Sequence, residues 1–393
     1  MTRGHRADIC RPVQQKRPLR RGWTTGTCAT AAAKAATAAL FGDAFPDPVE
    51  IALPNGQRVS FALAETSRGA GIATAGVVKD AGDDPDVTHG ALVRVTVAVG
   101  LPGSGVTFRA GPGVGTITRP GLPLPPGEPA INPVPRQMIR AAIAEIAAAY
   151  GLAPDILVEI SIPGGEELAR QTLNPRLGIV GGLSILGTTG VVIPYSCAAW
   201  IDSIHRGIDV VRASGVTHIA GATGRTSEDA VRALHALPEI ALIEMGDFVG
   251  GMLKYLHRHP LPRVTIAGGI AKMTKLAQGR LDLHSKRGEA DLAALAALAR
   301  SHGASEAAQA RIAASNTVAE AFAAAENLAP NLALGNAVAQ DAWEVAAAIL
   351  RPAPIALEIA IFDRAGRLVG RSRFAPVGPD GHEDAPAGRK RRS

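Results

Sequence analysis

The spacing of apolar positions divides the chain into two regimes. In the first, the alanine-dominated stretch TTGTCATAAAKAATAALFG (24–42) predicts a helix, with Thr25 or Thr27 as its cap and Gly42 beyond its end. VEIALPNGQRVSFAL (49–63) alternates about Asn55-Gly56, a dipeptide suited to a tight hairpin turn. Runs at GVVKDAG (76–82), ALVRVTVAVG (91–100), GVTFRAG (105–111) and LVEISIPGG (157–165) predict further strands, and PRQMIRAAIAEIAAAYG (135–151) a second helix. Short strands, often hairpin-linked and mixed with helices, describe an α+β domain over residues 19–195.

From Cys197 the rhythm changes. A helical pattern at CAAWIDSIHRGIDVVRASG (197–215) precedes alternating strand and helix segments. THIAGATG (217–224), EIALIEMG (239–246) and RVTIAGG (263–269) are the strands; TSEDAVRALHAL (226–237), DFVGGMLKYLHRH (247–259) and IAKMTKLAQG (270–279) are the helices. Connections this short imply parallel strands joined by right-handed crossovers. Helices near 289–301, 305–325 and 335–350 and a strand pair IALEIAIFD–RLVGRS (355–372) complete an α/β, Rossmann-like domain with a mainly parallel sheet over 196–375.

Charge changes the picture at the ends only. The net charge of the 393 residues is +6, yet residues 1–21 alone carry +6 and residues 371–393 carry +3, so the intervening core is acidic. The basicity sits in two polar tails, 1–18 and 376–393, expected to be disordered, and not in a folded stripe that would bind nucleic acid. Three cysteines (Cys10, Cys28, Cys197) without CxxC spacing give neither a disulfide framework nor a zinc site. The N-terminus lacks the apolar core of a signal peptide. Leu177–Ile201 carries no charge over a length of about 25 residues, enough to span a bilayer, but glycines, Pro194 and Ser/Thr break it into pieces expected in the interior.

In open α/β sheets ligands bind beyond the carboxyl ends of the strands. Three strand-end loops supply the candidate cofactor residues: Gly221, Thr223 and Gly224; Glu244, Gly246 and Asp247; and Gly268 with Gly269. Glu244 follows the first loop by about twenty residues, where dinucleotide folds place the acid that binds ribose hydroxyls. The chain has no GxGxxG and no GxxxxGK[ST], and the same glycines also suit plain turns. KDAGDDPDVTHG (79–90) gathers Lys79, Asp80, Asp83, Asp84, Asp86 and His89 in one loop, either a polar site or an Asp-rich solvated turn. TTGTC (24–28) places hydroxyls and N–H groups at a helix start, which suits an anion. Arg119, Asn132 and Arg136, and the run Lys272, Lys275, Arg280, His284, Lys286, Arg287, are candidate partners for carboxylates.

The strings TTGTCATAAAKAA (24–36), KDAGDDPDVTHG (79–90), GPGVGTITRPGLPLPPGEPAINPVPR (111–136), LNPRLGIVGGLSILGTTGVV (173–192), EMGDFVGGMLKYLHRHP (244–260) and AGGIAKMTKLAQG (267–279) resemble the CbiD family of cobalamin biosynthesis, in family order over roughly residues 19–370. The chain departs from the family pattern at Gly269–Lys272, where a second glycine is expected before the lysine. The resemblance implies a cytoplasmic S-adenosylmethionine-dependent C-methyltransferase that methylates C1 of cobalt-precorrin-5B to give cobalt-precorrin-6A. The adenosyl donor is then expected at the strand-end loops. Thr24, Thr25, Thr27, Lys79, Arg119, Asn132, Arg136, Lys272 and Lys275 are expected to meet the corrinoid substrate. His89, Asp83, Asp84 and Asp86 are expected as proton acceptors. Cobalt arrives with the substrate, so no protein-bound metal is expected, nor a nucleic-acid or membrane partner; a homo-oligomer is left open. Two other classes are a nicotinamide-dependent corrinoid reductase and a non-catalytic tetrapyrrole carrier.

Overall fold

The computed structural model describes residues 18–42 and 44–378. The tails read as disordered therefore lie outside the described residues, apart from their inner ends. By contacts the chain forms two compact units: Met1–Val114, Ile131–Leu168 and Ile185–Tyr195 in the first, Gly115–Ala130, Ala169–Ser184 and Ser196–Ser393 in the second. Two segments that the sequence reading put in the first domain, 115–130 and 169–184, thus group with the second. Their partners explain it: Thr116 and Ile117 pair with Val180 and Ile179, and Gly121 sits against the backbone of Asp209.

The first unit is built round helix α1 (Thr25–Phe41), buried from Thr25 to Ala39. A helix without a polar face must be sheathed on every side. Its threonines satisfy themselves, Thr30 and Thr37 donating to the carbonyls of Gly26 and Ala33 at 2.8 Å. Its cap is Thr24, not Thr25 or Thr27: the Thr24 hydroxyl accepts from Thr27 N. Around it lie the hairpin β1 (Val49–Ala52) and β2 (Arg58–Phe61), helix α2 (Pro133–Ala149) and a five-stranded sheet. That sheet holds β3 (Glu65–Gly69), β4 (Ile72–Val78), β5 (Leu92–Val99), β6 (Val106–Ala110) and β7 (Ile156–Ser161), in the order β3-β4-β5-β7-β6. All neighbours are antiparallel except β7 and β6. Val93, Val95, Val97, Ile156, Val158 and Ile160 are fully buried, as the period-two pattern requires.

After segments 115–130 and 169–184, the second unit continues with α3 (Cys197–Ala213), β8 (His218–Ala222), α4 (Arg225–His235), β9 (Leu242–Glu244), α5 (Val249–Arg258), β10 (Arg263–Gly269) and α6 (Ile270–Ala277). Then come α7 (Leu292–Ser301), α8 (Glu306–Ala313), α9 (Val318–Leu328), α10 (Leu334–Leu350), β11 (Ala356–Phe362), β12 (Leu368–Arg371) and β13 (Ala375–Pro376). The sheet runs β9-β8-β10-β11-β12, with β13 also on β11; its first three pairings are parallel and the pairings of β12 and β13 antiparallel. β10 and β11 are buried on both faces, as near-continuous apolar runs demand. Val231 of α4 packs on one face with Ala220 and Ala267; Met252, Met273 and Val338 from α5, α6 and α10 pack on the other with Ile219 and Ile266.

Three expectations need correction. The helix read over 305–325 is two, because Thr317 caps α9 by accepting from Glu320 N while Glu320 accepts from Asn316 N. The C-terminal tail begins later than residue 376, since Pro376 pairs with Ala356 and Val377 is fully buried. Leu177–Ile201 is only partly interior: Leu183 and Ile185 are buried, but Val180, Leu186, Ile193 and Trp200 are exposed. No helix of the described residues is long and apolar enough to cross a membrane.

A chain of polar groups threads one face of the second sheet. Glu358, fully buried on β11, accepts from Thr265 and Arg371 and lies 2.7 Å from His235 Nε2. His218 Nε2 sits 2.9 Å from the Thr265 hydroxyl, and Phe374 covers both imidazoles. Burial, with His235 and Arg263 nearby, pushes the His218 pKa down from its ordinary 6.5 to about 4. A histidine kept neutral by the fold gives stability that is complete above pH about 6.5 and declines as pH falls towards 4, because the unfolded chain takes up the proton first. Urea titrations at stepped pH are expected to show this loss in wild type and a shallower one in His218→Gln; identical slopes would exclude His218 as its source.

Candidate functional site

In the second unit the strands run in chain order 2-1-3-4, so the direction of winding reverses between β8 and β10. The following helices, α4 and α6, leave towards opposite faces, and a crevice at the strands' carboxyl ends is the geometric result. Thr223 and Gly224 form one lip and Gly269 the other. Gly224 and Gly269 occupy the cap positions of α4 and α6, neither with a side-chain cap, and each has open space where a Cβ would stand. Two helix N-termini with glycine caps converge on one spot, which favours an anion.

Lys272, in the first turn of α6, fixes this spot. Its ammonium donates to the Thr223 carbonyl at 2.8 Å and lies 3.0 Å from Asp247 Oδ1. That oxygen is buried and makes no well-aligned hydrogen bond, so the ammonium is its electrostatic partner. The lysine thus ties the loop after β8 to the loop after β9. At the end of β9, beside Ala222, Glu244 is exposed. Gly246 next to it takes the left-handed conformation at φ +57, and Trp200 on α3 donates its indole N–H to the Glu244 carbonyl at 3.2 Å.

Two of the eight candidate cofactor residues serve packing. A Cβ on Gly221 would stand 2.4 Å from Met252 Sδ, and one on Gly268 2.6 Å from Met273 Cε, so both glycines let helices approach the sheet. Lys275 points away from the crevice, being buried with its ammonium 3.3 Å from the Leu283 carbonyl. Arg176 was not singled out from the sequence: it forks onto Glu228 in the first turn of α4 at 2.6 and 2.9 Å. Arg119 donates to the Arg176 carbonyl and lies along Gly178.

In the first unit the 79–90 loop is held by its own Lys79–Asp86 pair and by ties to Arg20 and Tyr195. Lys79 is buried and holds Asp86 and the Thr88 hydroxyl; burial works to raise the Asp86 pKa, but Lys79 and Thr88 outweigh it and the carboxyl stays below its usual range. Asp80 is held down to about 2 by its hydrogen bonds from Arg20 and Gly82. Asp83 accepts from Arg20 N at 2.6 Å and Asp84 from Tyr195 N at 2.8 Å. His89 accepts the Ala81 N–H at Nδ1 (3.1 Å), so its neutral ring carries the proton on Nε2.

The start of α1 is similarly committed. Gly26 N donates to Leu186 O, Thr27 Oγ1 to Gly190 O and Thr24 N to Gly190 O, and Thr25 is buried. Burial drives the Cys28 thiol up to about 12, which leaves it inert. Asn132 precedes α2 without capping it, and Arg136 is buried, donating to Ile131 O and lying over the Phe108 ring. Among the described residues no three His, Cys, Asp or Glu side chains gather as a metal would need.

The family model for CbiD matches residues 12–194, and that for the CbiD C-terminal domain residues 282–373. A protein of Agrobacterium fabrum named cobalt-precorrin-5B C(1)-methyltransferase is 61% identical over 369 residues, 94% of this chain and 96% of that one. The chain belongs to the CbiD family. A Bradyrhizobium protein of the same name is 61% identical over 364 residues, 92% of this CbiD chain and 96% of its own. A solved cobalamin biosynthesis protein (cbiD) from Archaeoglobus fulgidus is 30% identical, covering 68% of this chain and 83% of that one, with a TM-score of 0.38, so that likeness is one of sequence.

Asp86→Ala in this CbiD protein strands a buried ammonium, and should cost about 3–5 kcal/mol. Urea unfolding checks this. A loss near zero would mean that Lys79 is free to serve another partner.

Proposed function

We propose that this CbiD protein is a cytoplasmic S-adenosylmethionine-dependent methyltransferase that methylates C1 of cobalt-precorrin-5B, giving cobalt-precorrin-6A. The observation that carries this is 61% identity over 94% of the chain to a relative of that name. The cobalt is part of the corrinoid substrate, and the proposal gives the protein no metal of its own. The second unit is read as a Rossmann-like donor-binding domain. Its reversal of winding and the uncapped N-termini of α4 and α6 suit the donor's carboxylate, while the exposed Glu244 suits ribose hydroxyls.

S-Adenosylmethionine supplies an already activated methyl group on a sulfonium: the new bond forms to C1 as the S–CH3 bond breaks, and S-adenosylhomocysteine leaves. The protein's share is then alignment and exclusion of water, and holding two partners in line lowers a barrier by ~7–11 kcal/mol. The first unit is read as the substrate side, where Asn132 and His89 offer polar contacts to a polycarboxylate ring. With its proton on Nε2, His89 suits donation to a substrate carboxylate better than acceptance of a ring proton. Asp83, Asp84 and Asp86 already accept backbone hydrogen bonds, from Arg20, Tyr195 and Thr88.

Calorimetric titration with S-adenosylmethionine beside NADPH tests the donor. Saturable binding of the first alone, weakened about tenfold by Glu244→Ala through loss of hydrogen bonds to a charged group, is expected. Binding of NADPH instead would replace the methyltransferase with a reductase, and binding of neither would favour the carrier. His89→Ala is expected to raise KM for the corrinoid and leave the single-turnover rate nearly intact; a collapse of that rate would return His89 to the role of base.

A further inference from the structure

Trp200 is a large side chain that packing does not explain. It is 43% exposed in the first turn of α3, among exposed Cys197, Ala198 and Ala199. Such a residue on a helix end is ordinarily polar. Its orientation is nonetheless fixed: the indole N–H donates to the Glu244 carbonyl at 3.2 Å, and the ring stands beside Gly246, where a built Cβ would lie 3.4 Å from Cζ2. Phe248 supports it from the side, with ring centroids 6.4 Å apart. With its only polar atom satisfied by the backbone, what the indole presents to solvent is π surface. That surface adjoins the exposed Glu244 carboxylate and the end of β9.

The geometry points to Trp200 as the stacking platform for the adenine of the methyl donor. This rests on the donor site proposed above. If Glu244 takes the ribose hydroxyls, the base lies one sugar further from the crevice, on the side where Trp200 stands. Gly246 beside the indole takes a left-handed backbone that a side chain would strain, so a small residue keeps the ring's edge free. Every base has a π face, and loss of a stacking partner typically weakens binding about tenfold or more.

The chain has three tryptophans, so the share of Trp200 is isolated by comparing wild type with Trp200→Phe. Trp343 is buried with its indole bonded to Leu357 O, and Trp23 packs edge-on against Phe61 in the first unit. The difference in emission change between wild type and Trp200→Phe therefore reports on Trp200. The full chain is titrated with S-adenosylhomocysteine and followed by calorimetry and by tryptophan emission. Wild type is expected to bind with quenching, Trp200→Phe to bind closely as well without the quenching, and Trp200→Ala to bind about tenfold more weakly. Unchanged affinity in Trp200→Ala, or full quenching in Trp200→Phe, overturns the stacking role and leaves the donor site standing. If wild type binds no S-adenosylhomocysteine by calorimetry, both readings fall together. Should Trp200→Ala not fold by circular dichroism, the quenching in Trp200→Phe decides alone.

Discussion

The second unit depends on one topological constraint: helices must cover both faces of a sheet whose central strands are buried on both sides. In strands β10 and β11 the buried polar groups, Thr265 and Glu358, are satisfied inside the protein rather than by water. The chain therefore winds one way from β8 to β9 and the other way from β10, and neighbouring strands send their helices to opposite sides. Nothing can fill the place where they part except loops, helix ends or a ligand. Gly224 and Gly269 leave it open, and the Lys272 ammonium, paired with Asp247, ties the loops around it. The chemistry of the crevice is thus a by-product of how the core is buried, sharpened by a few side chains.

Charged groups elsewhere are used as internal ties. Lys34 reaches from the buried helix to Glu50 O and Glu145, Lys79 closes the acidic loop on Asp86, and Glu358 gathers His235, Thr265 and Arg371 within the sheet. Desolvating a charge is costly unless it is paired and hydrogen-bonded, so each arrangement specifies one local geometry rather than adding net stability. For the 79–90 loop, most of the carboxylates that look like a reactive cluster in one dimension are holding backbone in three.

Most elements were legible in the sequence because period and turn chemistry agree: the Asn55-Gly56 hairpin, the alternation of β5 and the strand–helix rhythm after Cys197 all form. Strand β3 was not, since Glu65–Gly69 is an exposed edge with no apolar alternation. The interleaving of the two units was hidden because segments 115–130 and 169–184 are tied by pairings far apart in the chain. The strand-end loops were visible as glycine and acid patterns. Which glycines face a crevice and which face a methionine was not, because Gly221 and Gly224 differ only in what packs across from them. Trp200 carried a signal that was passed over, a tryptophan in the exposed first turn of an amphipathic helix.

The clamp on the start of α1 has a consequence for synthesis. Thr27 donates to Gly190, 163 residues later, and Gly26 N donates to Leu186 O. At about 5–20 residues per second, a ribosome takes on the order of ten to thirty seconds to produce that distance of chain. Until then the most deeply buried helix of the first unit has emerged without the loop that closes over its first turn. A helix of alanine and threonine is well suited to that wait: it forms readily by itself, and it offers nascent neighbours and chaperones little large apolar surface to seize.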